Sequence, residues 1–301
     1  MRTSSPLSER LRVLKQRPDF QLSPSAALFR RLTWRLRWRL TKEPWVLAIG
    51  EDLKIQVPCC GAGALIYYQG YSEPETARFI LSFLRPGMVF FDVGAHIGEY
   101  ALLASRRVGP CGEVHAFEPQ PSTLALLENN VEVNGLRNVR LNGCAVSDRN
   151  EEVDFGVRAE PSLSSIAREG KPLDGQELLC SLKVPSRTLD EYCGECGRWP
   201  DLIKIDVEGA ELLVLQGAEG LLAEPPGRAP CLVFEYDEDN YSRFGYEFRD
   251  ILSVLGRAGY RMFRLDPQGR PQLIDGKASL PDGVRNIMAT KAILSESASL
   301  N

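Results

Sequence analysis

The 301-residue chain has no run of the ~20 consecutive apolar residues that a helix needs to cross a bilayer. Its opening, MRTSSPLSERLRVLKQRPDF, holds no continuous apolar core, so neither a membrane span nor a secretory signal is expected. A disulfide pattern is also missing. The cysteines lie scattered at 59, 60, 111, 144, 180, 193, 196 and 231, several inside apolar runs such as CLVFEY. They read as reduced, buried thiols of a cytoplasmic protein. Cys193 and Cys196 form a lone CxxC without a second ligand pair, so no zinc site is expected there. Histidine is scarce, and only His96 and His115 are available as imidazoles. No internal repeat is visible. With 44% hydrophobic and 25% charged residues, the composition excludes collagen-like, coiled-coil and wholly disordered chains. A chain of this length buries a core without staples.

Charge is unevenly placed. Residues 1–42 carry eleven Lys or Arg against Glu9 and Asp19, a surplus of nine positive charges, which leaves −13 on the remainder. An acidic body offers no broad footprint for phosphates, so no nucleic-acid partner is expected. Within the basic arm, AALFRRLTWRLRWRL (26–40) places Leu28, Phe29, Leu32, Leu36 and Leu40 on one helical face. Trp34 and Trp38 fall among the arginines on the other. The alternation WRLRWRL also suits a strand. As a helix, the segment has two roles open to it. It packs its aliphatic face on the acidic body, the preferred reading, or it makes a peripheral contact with a membrane surface.

The chain divides into a basic arm (1–44), a lead-in segment of short β runs and a helix from Pro74 to Leu84 (45–87), an α/β domain (88–292) and a tail (293–301). Strands and helices alternate from residue 88: MVFFDV, EYALLASRRV, GEVHAFE, PSTLALLENNVEVNG, NVRLNGCAV, EEVDFGV, SLKVPSRTLDEYC, DLIKIDV, GAELLVLQGAEGLL, CLVFEY and EFRDILSVLGRAG. YRMFRLD and RNIMATK close the series with no helix between them, so at least one of them is antiparallel. Such alternation predicts a doubly wound parallel sheet covered on both faces.

Ligands of such sheets sit outside the carboxyl ends of the strands, at the switch point. The first loop there is Asp92-Val93-Gly94-Ala95-His96-Ile97-Gly98. Gly94 permits a tight turn and close ligand approach, and Gly98 opens the next helix. Glu118 ends the second strand, placed to accept ribose hydroxyls. The loop is not GxGxxG. Asp92 stands where a pyrophosphate would lie, which opposes a nicotinamide dinucleotide and suits an adenosine ligand bearing an ammonium and a sulfonium. S-adenosylmethionine fits that description. Asp92, Gly94, Ala95, His96, Gly98 and Glu118 are the candidate cofactor residues. Ala145 and Val146 are placed to flank the adenine, with Asp148 to meet its amine. His96 also has a plain role in packing at the helix start, and His115 reads as structural.

LRPGMVFFDVGAHIGEYALLASRRVGPCGEVHAFEPQP, NNVEVNGLRNVRLNGCAVSD, VPSRTLDEY and DLIKIDVEGAELLVLQGAEGLL together resemble the FkbM family of S-adenosylmethionine-dependent methyltransferases. Tyr71-Ser72-Glu73-Pro74 resembles that family's YEPE stretch. The likeness runs from about residue 65 to 265. It implies a Rossmann-like class I sheet of seven strands, one antiparallel. It also implies cofactor contacts at Asp92, Gly94, Gly98, Glu118, Ala145 and Val146.

Lys204, Asp206 and Glu208 alternate along a strand and its exit, so they point one way. Asp206 or Glu208 is the expected base or acceptor-orienting group, with Lys204 as charge partner. The alternative is helix capping, since Glu208-Gly209-Ala210-Glu211 opens a helix. The acidic run 235–240 is read as a solvated loop, with Glu235 the member facing the site, and no metal is expected. The polar stretch 156–183 is read as a lid over the acceptor. The sum is an O-methyltransferase acting on a small molecule, glycan or lipid-linked sugar. The alternatives are a non-catalytic lipid- or protein-binding module on the same fold and a nicotinamide-dependent oxidoreductase.

Overall fold

The computed structural model describes residues 17–166, 178–274, 280 and 283–292. The chain forms two compact units, residues 1–74 and 75–301. No described helix is long and apolar enough to cross a membrane.

In the first unit, Pro18 and Pro24 start the helices Pro18–Leu22 and Pro24–Leu40, where a missing N–H costs nothing. An antiparallel hairpin follows, β1 (Trp45–Ile49) with β2 (Leu53–Val57). The run read as β-like around LIYY is instead the helix Gly61–Gln69. Cys60 Sγ caps it by accepting from Gly63 N–H at 3.3 Å.

The helix Pro24–Leu40 is present, but its faces are reversed. Ala27, Trp34 and Trp38 are buried, whereas Leu28, Phe29, Leu32, Leu36 and Leu40 are 52–76% exposed. Aromatic area decides this. Trp34 stacks on Trp45 (centroids 6.1 Å apart) and Tyr67 (5.8 Å), and Trp45 meets Tyr67 at 4.5 Å. Rings of this size outweigh leucines in buried area. The arginines among them are engaged as well. Arg31 pairs with Asp19 at 2.6 Å and lies 4.5 Å over the Tyr68 ring.

The second unit starts with the helix Pro74–Phe83, which buries Ala77 and Ile80. Its main sheet holds β3 (Val89–Val93), β4 (Glu113–Phe117), β5 (Val139–Asn142), β10 (Leu202–Ile205), β11 (Cys231–Glu235), β12 (Arg261–Leu265), β13 (Pro271–Leu273) and β14 (Asn286–Thr290). The order is β13-β12-β14-β11-β10-β3-β4-β5. From β11 to β5 the strands are parallel. β14 runs antiparallel to both β11 and β12, as the missing helix before it requires. Phe90, Phe91, Ile203, Leu232 and Phe234 are fully buried, each contributing about 1.5–3 kcal/mol. Burial on both faces explains the continuous apolar runs of β3, β10, β11 and β14. The sheet is thus the doubly wound, Rossmann-like α/β type. Its order reverses between β3 and β10, which fixes the ligand position.

Three expectations change. The sheet has eight strands, two of them antiparallel, because β13 adds to the edge through a tight turn. Asp266 Oδ1 accepts from the amides of Gln268 and Arg270 at 2.9 and 2.8 Å, with Gly269 at φ 78°. NVRLNGCAV is two strands. β5 ends at Asn142, whose side chain donates to the Ala116 carbonyl at 3.2 Å, and β6 (Ala145–Val146) joins another sheet. That sheet, β6-β9-β7-β8, contains β7 (Glu152–Arg158), β8 (Ser165–Ile166) and β9 (Leu178–Arg187). GAELLVLQGAEGLL is two helices, Glu211–Gln216 and Glu219–Ala223. They part at Gly217, where a β-carbon would lie 2.0 Å from the Ser147 carbonyl oxygen. Residues 167–177 of the expected lid lie outside the described residues.

Candidate cofactor and acceptor site

The first loop is built by close approach of backbones. Gly94 and Ala95 donate to the Phe117 carbonyl at 3.0 and 2.9 Å, tying the loop to β4. Asp206 N–H donates to the Val93 carbonyl at 2.9 Å. Gly94 has φ 80°, and a β-carbon there would stand 1.8 Å from the Asp206 carbonyl oxygen, so no other residue fits. His96 holds φ 49°, a left-handed conformation uncommon outside glycine.

Glu118 spans the loop. Its carboxylate accepts from His96 N–H at 3.0 Å and Gln120 N–H at 2.9 Å. Burial raises its pKa to about 7 despite those two bonds. Asp92 is fully buried on β3, beside Lys204 in the β10 register. Burial lifts it to about 6, with the Lys204 charge opposing. Among the described residues neither Asp92 oxygen has a partner of normal hydrogen-bond geometry, although the Ala101 amide also draws its pKa down, and His96 Nε2 and Gln120 Oε1 are likewise buried without a partner. Burial lowers His96 to about 4, so its ring is neutral near pH 7. Buried polar atoms without partners are costly. A loop lined with them fits a ligand rich in hydroxyl and ammonium donors, as S-adenosylmethionine is.

The acceptor side is built on β10 and β11. Lys204 is buried, donates to Asp206 Oδ2 at 2.7 Å and lies 4.5 Å over the Tyr100 ring. Glu208, at φ 53°, accepts from Asn240 Nδ2 at 3.0 Å. Burial raises its pKa well above the usual range, with the charges of Asp206 and Glu211 adding to it. Glu211 is fully buried, accepts from Val207 and Gly209 amides at 3.2 and 3.3 Å, and is raised to about 7 by burial. Among the described residues, Asp206, Glu208 and Glu235 bring carboxylate oxygens within 4.8 Å of one another. Three hard oxygen donors at that spacing suit a divalent cation. The acidic run beyond is partly structural, as Asp237 caps the helix Glu238–Arg243 by accepting from Asn240 N–H.

The structure therefore brings together Asp92, Gly94, Ala95, His96 and Glu118 around the first loop, with Lys204 and Asp206 beside them. Gly98 opens the helix Glu99–Val108, where a β-carbon would meet Leu127 at 2.2 Å. Ala145 and Val146 are buried on β6, and Val146 belongs to the main core. Asp148 pairs with Arg149 at 3.1 Å. His115 is buried, 2.7 Å from Tyr192 Oη. Sequence reading took Asn240 only as the end of the acidic run, not as the partner of Glu208. It took Glu211 only as a helix-capping acid, and the KIDVEGAE stretch was the signal for more.

Among solved structures, an S-adenosylmethionine-dependent O-methyltransferase from Thermotoga maritima aligns with TM-score 0.39 at 15% identity. The alignment covers 84% of this chain and 80% of that one. Aeropyrum pernix fibrillarin, solved with S-adenosylmethionine bound, aligns with TM-score 0.40 at 14% identity over 72% and 75%. The hexuronic acid methyltransferase AglP of Haloferax volcanii is 30% identical over 155 residues, 50% of this chain and 58% of that protein. The 31-O-demethyl-FK506 methyltransferase FkbM of Streptomyces tacrolimicus is 48% identical over 75 residues, 25% and 26% of the two chains. The matched stretches thus span little more than half of the longest-matched relative. The family signature described as "Methyltransferase FkbM domain" matches residues 92–262, more than half the chain. The chain belongs to the FkbM family of S-adenosylmethionine-dependent methyltransferases.

Proposed function

We propose that the protein moves a methyl group from S-adenosylmethionine to a hydroxyl oxygen of a small molecule, glycan or lipid-linked sugar. The observation that carries this reading is the joint between the first loop and Asp206. The loop holding Asp92 and Glu118 touches the backbone of Asp206, whose side chain is oriented by a buried lysine. When bound, S-adenosylmethionine supplies an electrophilic methyl on a cationic sulfur, which departs as a neutral thioether. Glu118 and the amides it gathers hold the ribose hydroxyls, and Asp92 meets the cationic end. Asp206 would take the proton of the acceptor hydroxyl, whose oxygen would receive the methyl group. Glu208, whose pKa burial raises, orients the acceptor. Much of the rate comes from positioning and exclusion of water. The names of the relatives, for hexuronic acid and for 31-O-demethyl-FK506, support an oxygenated acceptor.

Calorimetry with S-adenosylmethionine and S-adenosylhomocysteine tests this on wild type, Asp92→Ala and Glu118→Ala. Wild type binds both, and each substitution weakens binding at least tenfold. A well-folded wild type that binds neither sinks the reading and returns the chain to a binding-module role.

We infer further that the helix Pro24–Leu40 lies on an anionic lipid surface. Its five exposed apolar side chains form one ridge flanked by exposed Arg30, Arg35 and Arg39, and PSAALFRRLTWRLRWRL contains no acid. That is the pattern of an interfacial helix. Vesicles of phosphatidylcholine with phosphatidylglycerol should sediment the protein, and pure phosphatidylcholine should not. Self-association through the ridge, seen as a concentration-dependent mass without lipid binding, overturns it.

A further inference from the structure

Two partly buried arginines hold buried nitrogens without a hydrogen-bond partner among the described residues: Nε and Nη1 of Arg158, and Nε of Arg243. A guanidinium presents a rigid fork of donors. Leaving such donors unmade in a buried site is costly, and leaving charged ones costs more. A structural arginine spends its fork on carbonyls or carboxylates of its own chain. These two do so only in part.

Their positions are set by the fold. Arg158 ends β7, where the pairing with β9 shifts register between Val157 and Arg158. Such an irregularity re-aims a side chain. Its backbone N–H is fixed by Ser164 Oγ at 3.1 Å. Arg243 ends the helix Glu238–Arg243 and donates from Nη2 to Asn240 Oδ1. Asn240 in turn donates to Glu208 Oε2. Arg243 is thereby linked to the cluster of Asp206, Glu208 and Glu235. After burial, the charge of Arg158 is the next cause holding Arg243 below its usual pKa, opposed by Glu208, Asp237 and Glu211. Like charges brought together in a buried site need a counter-charge.

We propose that Arg158 and Arg243 form an anion subsite that takes a carboxylate or phosphate of the methyl acceptor. The acceptor is then an acidic one, a uronate or a phosphorylated sugar, whose hydroxyl faces Asp206 while its anion engages the arginine forks. The planar fork suits either oxyanion in two-pronged fashion, which a lysine does not. A neutral sugar leaves both cations unpaired and is discriminated against by about a hundredfold or more. The proposal rests on the methyltransferase reading and specifies its substrate class.

The test uses the full-length protein with 15N-labelled arginine and follows the Nε–H resonances. The peaks missing from Arg158→Lys and Arg243→Lys assign the two signals. Inorganic phosphate, glucuronate and glucose are the probes. Both signals should move with phosphate or glucuronate and stay still with glucose. Apparent affinity for the anion should fall at least tenfold in Arg158→Gln and in Arg243→Gln, and less in the lysine variants. Response to glucuronate alone marks a uronate acceptor, and response to phosphate alone a phosphorylated one. Still signals with both anions, equal response to glucose, or full anion affinity in both glutamine variants overturns the proposal. Calorimetry with S-adenosylmethionine reads the methyltransferase function separately. Normal cofactor binding with no anion response means that the subsite alone is wrong.

Discussion

The sheet unit buries Asp92, Glu118, Glu208 and Glu211, while the N-terminal unit turns Leu28, Phe29, Leu32, Leu36 and Leu40 to solvent. Each arrangement opposes the usual sorting of residues, and in opposite senses. The acids converge on the carboxyl ends of β3, β4 and β10, a point-like focus. The apolar side chains follow one helix over residues 28–40, a line. A focus of hidden charge suits a compact polar ligand. A line of exposed apolar groups between arginines suits an extended surface. The physical cost differs too: hidden charge destabilises the folded state, whereas an exposed ridge barely affects it.

Four experiments can break or sharpen that contrast. The largest effect should come from Asp206→Asn, which removes the proposed proton acceptor and should lower kcat by about 10²–10⁴-fold. Cofactor affinity measured by calorimetry should change less than threefold. An unchanged kcat moves the base elsewhere in the focus. Gly94→Ala comes next, at roughly 3 kcal/mol or more in chemical denaturation, since the added carbon meets a backbone oxygen at positive φ. Gly109→Ala is its control, with positive φ but open space, and should cost about 1–2 kcal/mol.

The hidden acids also set a pH slope. Asp92 at about 6 and Glu118 and Glu211 at about 7 are raised mainly by burial. The folded chain therefore holds more protons than the unfolded chain above the ordinary carboxylate range. Stability is fully present below that range and is lost as pH rises through 6 to 7. Without ligand, urea denaturation should show a fall of about 4 kcal/mol between pH 5 and pH 8, the three acids outweighing His96, which contributes in the opposite sense. Glu118→Gln and Glu211→Gln should flatten it, and a slope of opposite sign would assign these acids to charged pairs. The smallest effect belongs to the ridge. Leu32→Glu with Leu36→Glu should shift stability by only about 0.5 kcal/mol, yet abolish sedimentation with anionic vesicles. A large loss of stability would show that the ridge is packed in solution.

Much of the sheet unit was legible because its signals are local. β3, β4, β10 and β11 are short apolar runs bounded by glycine, proline or acidic residues, and Lys204 and Asp206 share a side by simple alternation. The first loop and Glu118 follow from their order along a β-α-β unit. What escaped depends on distant partners. Nothing local in GCAV or EEVDFGV says that these strands pair with 178–187 and not with β5. The eighth strand hangs on one aspartate side chain folding back on its own turn. The inward face of the arm was decided by Trp45, Tyr67 and Tyr68, which lie beyond the helix. Arg158 and Arg243 sit 85 positions apart, and no motif marks either.

The contact between Gly94 and the Asp206 carbonyl has one further consequence. It leaves the exits of β3 and β10 no independent play, so whatever restrains one restrains the other. Cofactor and acceptor should therefore bind with a coupling free energy that is reciprocal: each raises the affinity of the other by the same factor. The spare room a β-carbon would need is absent, and that absence makes the two halves of the sheet respond as one part.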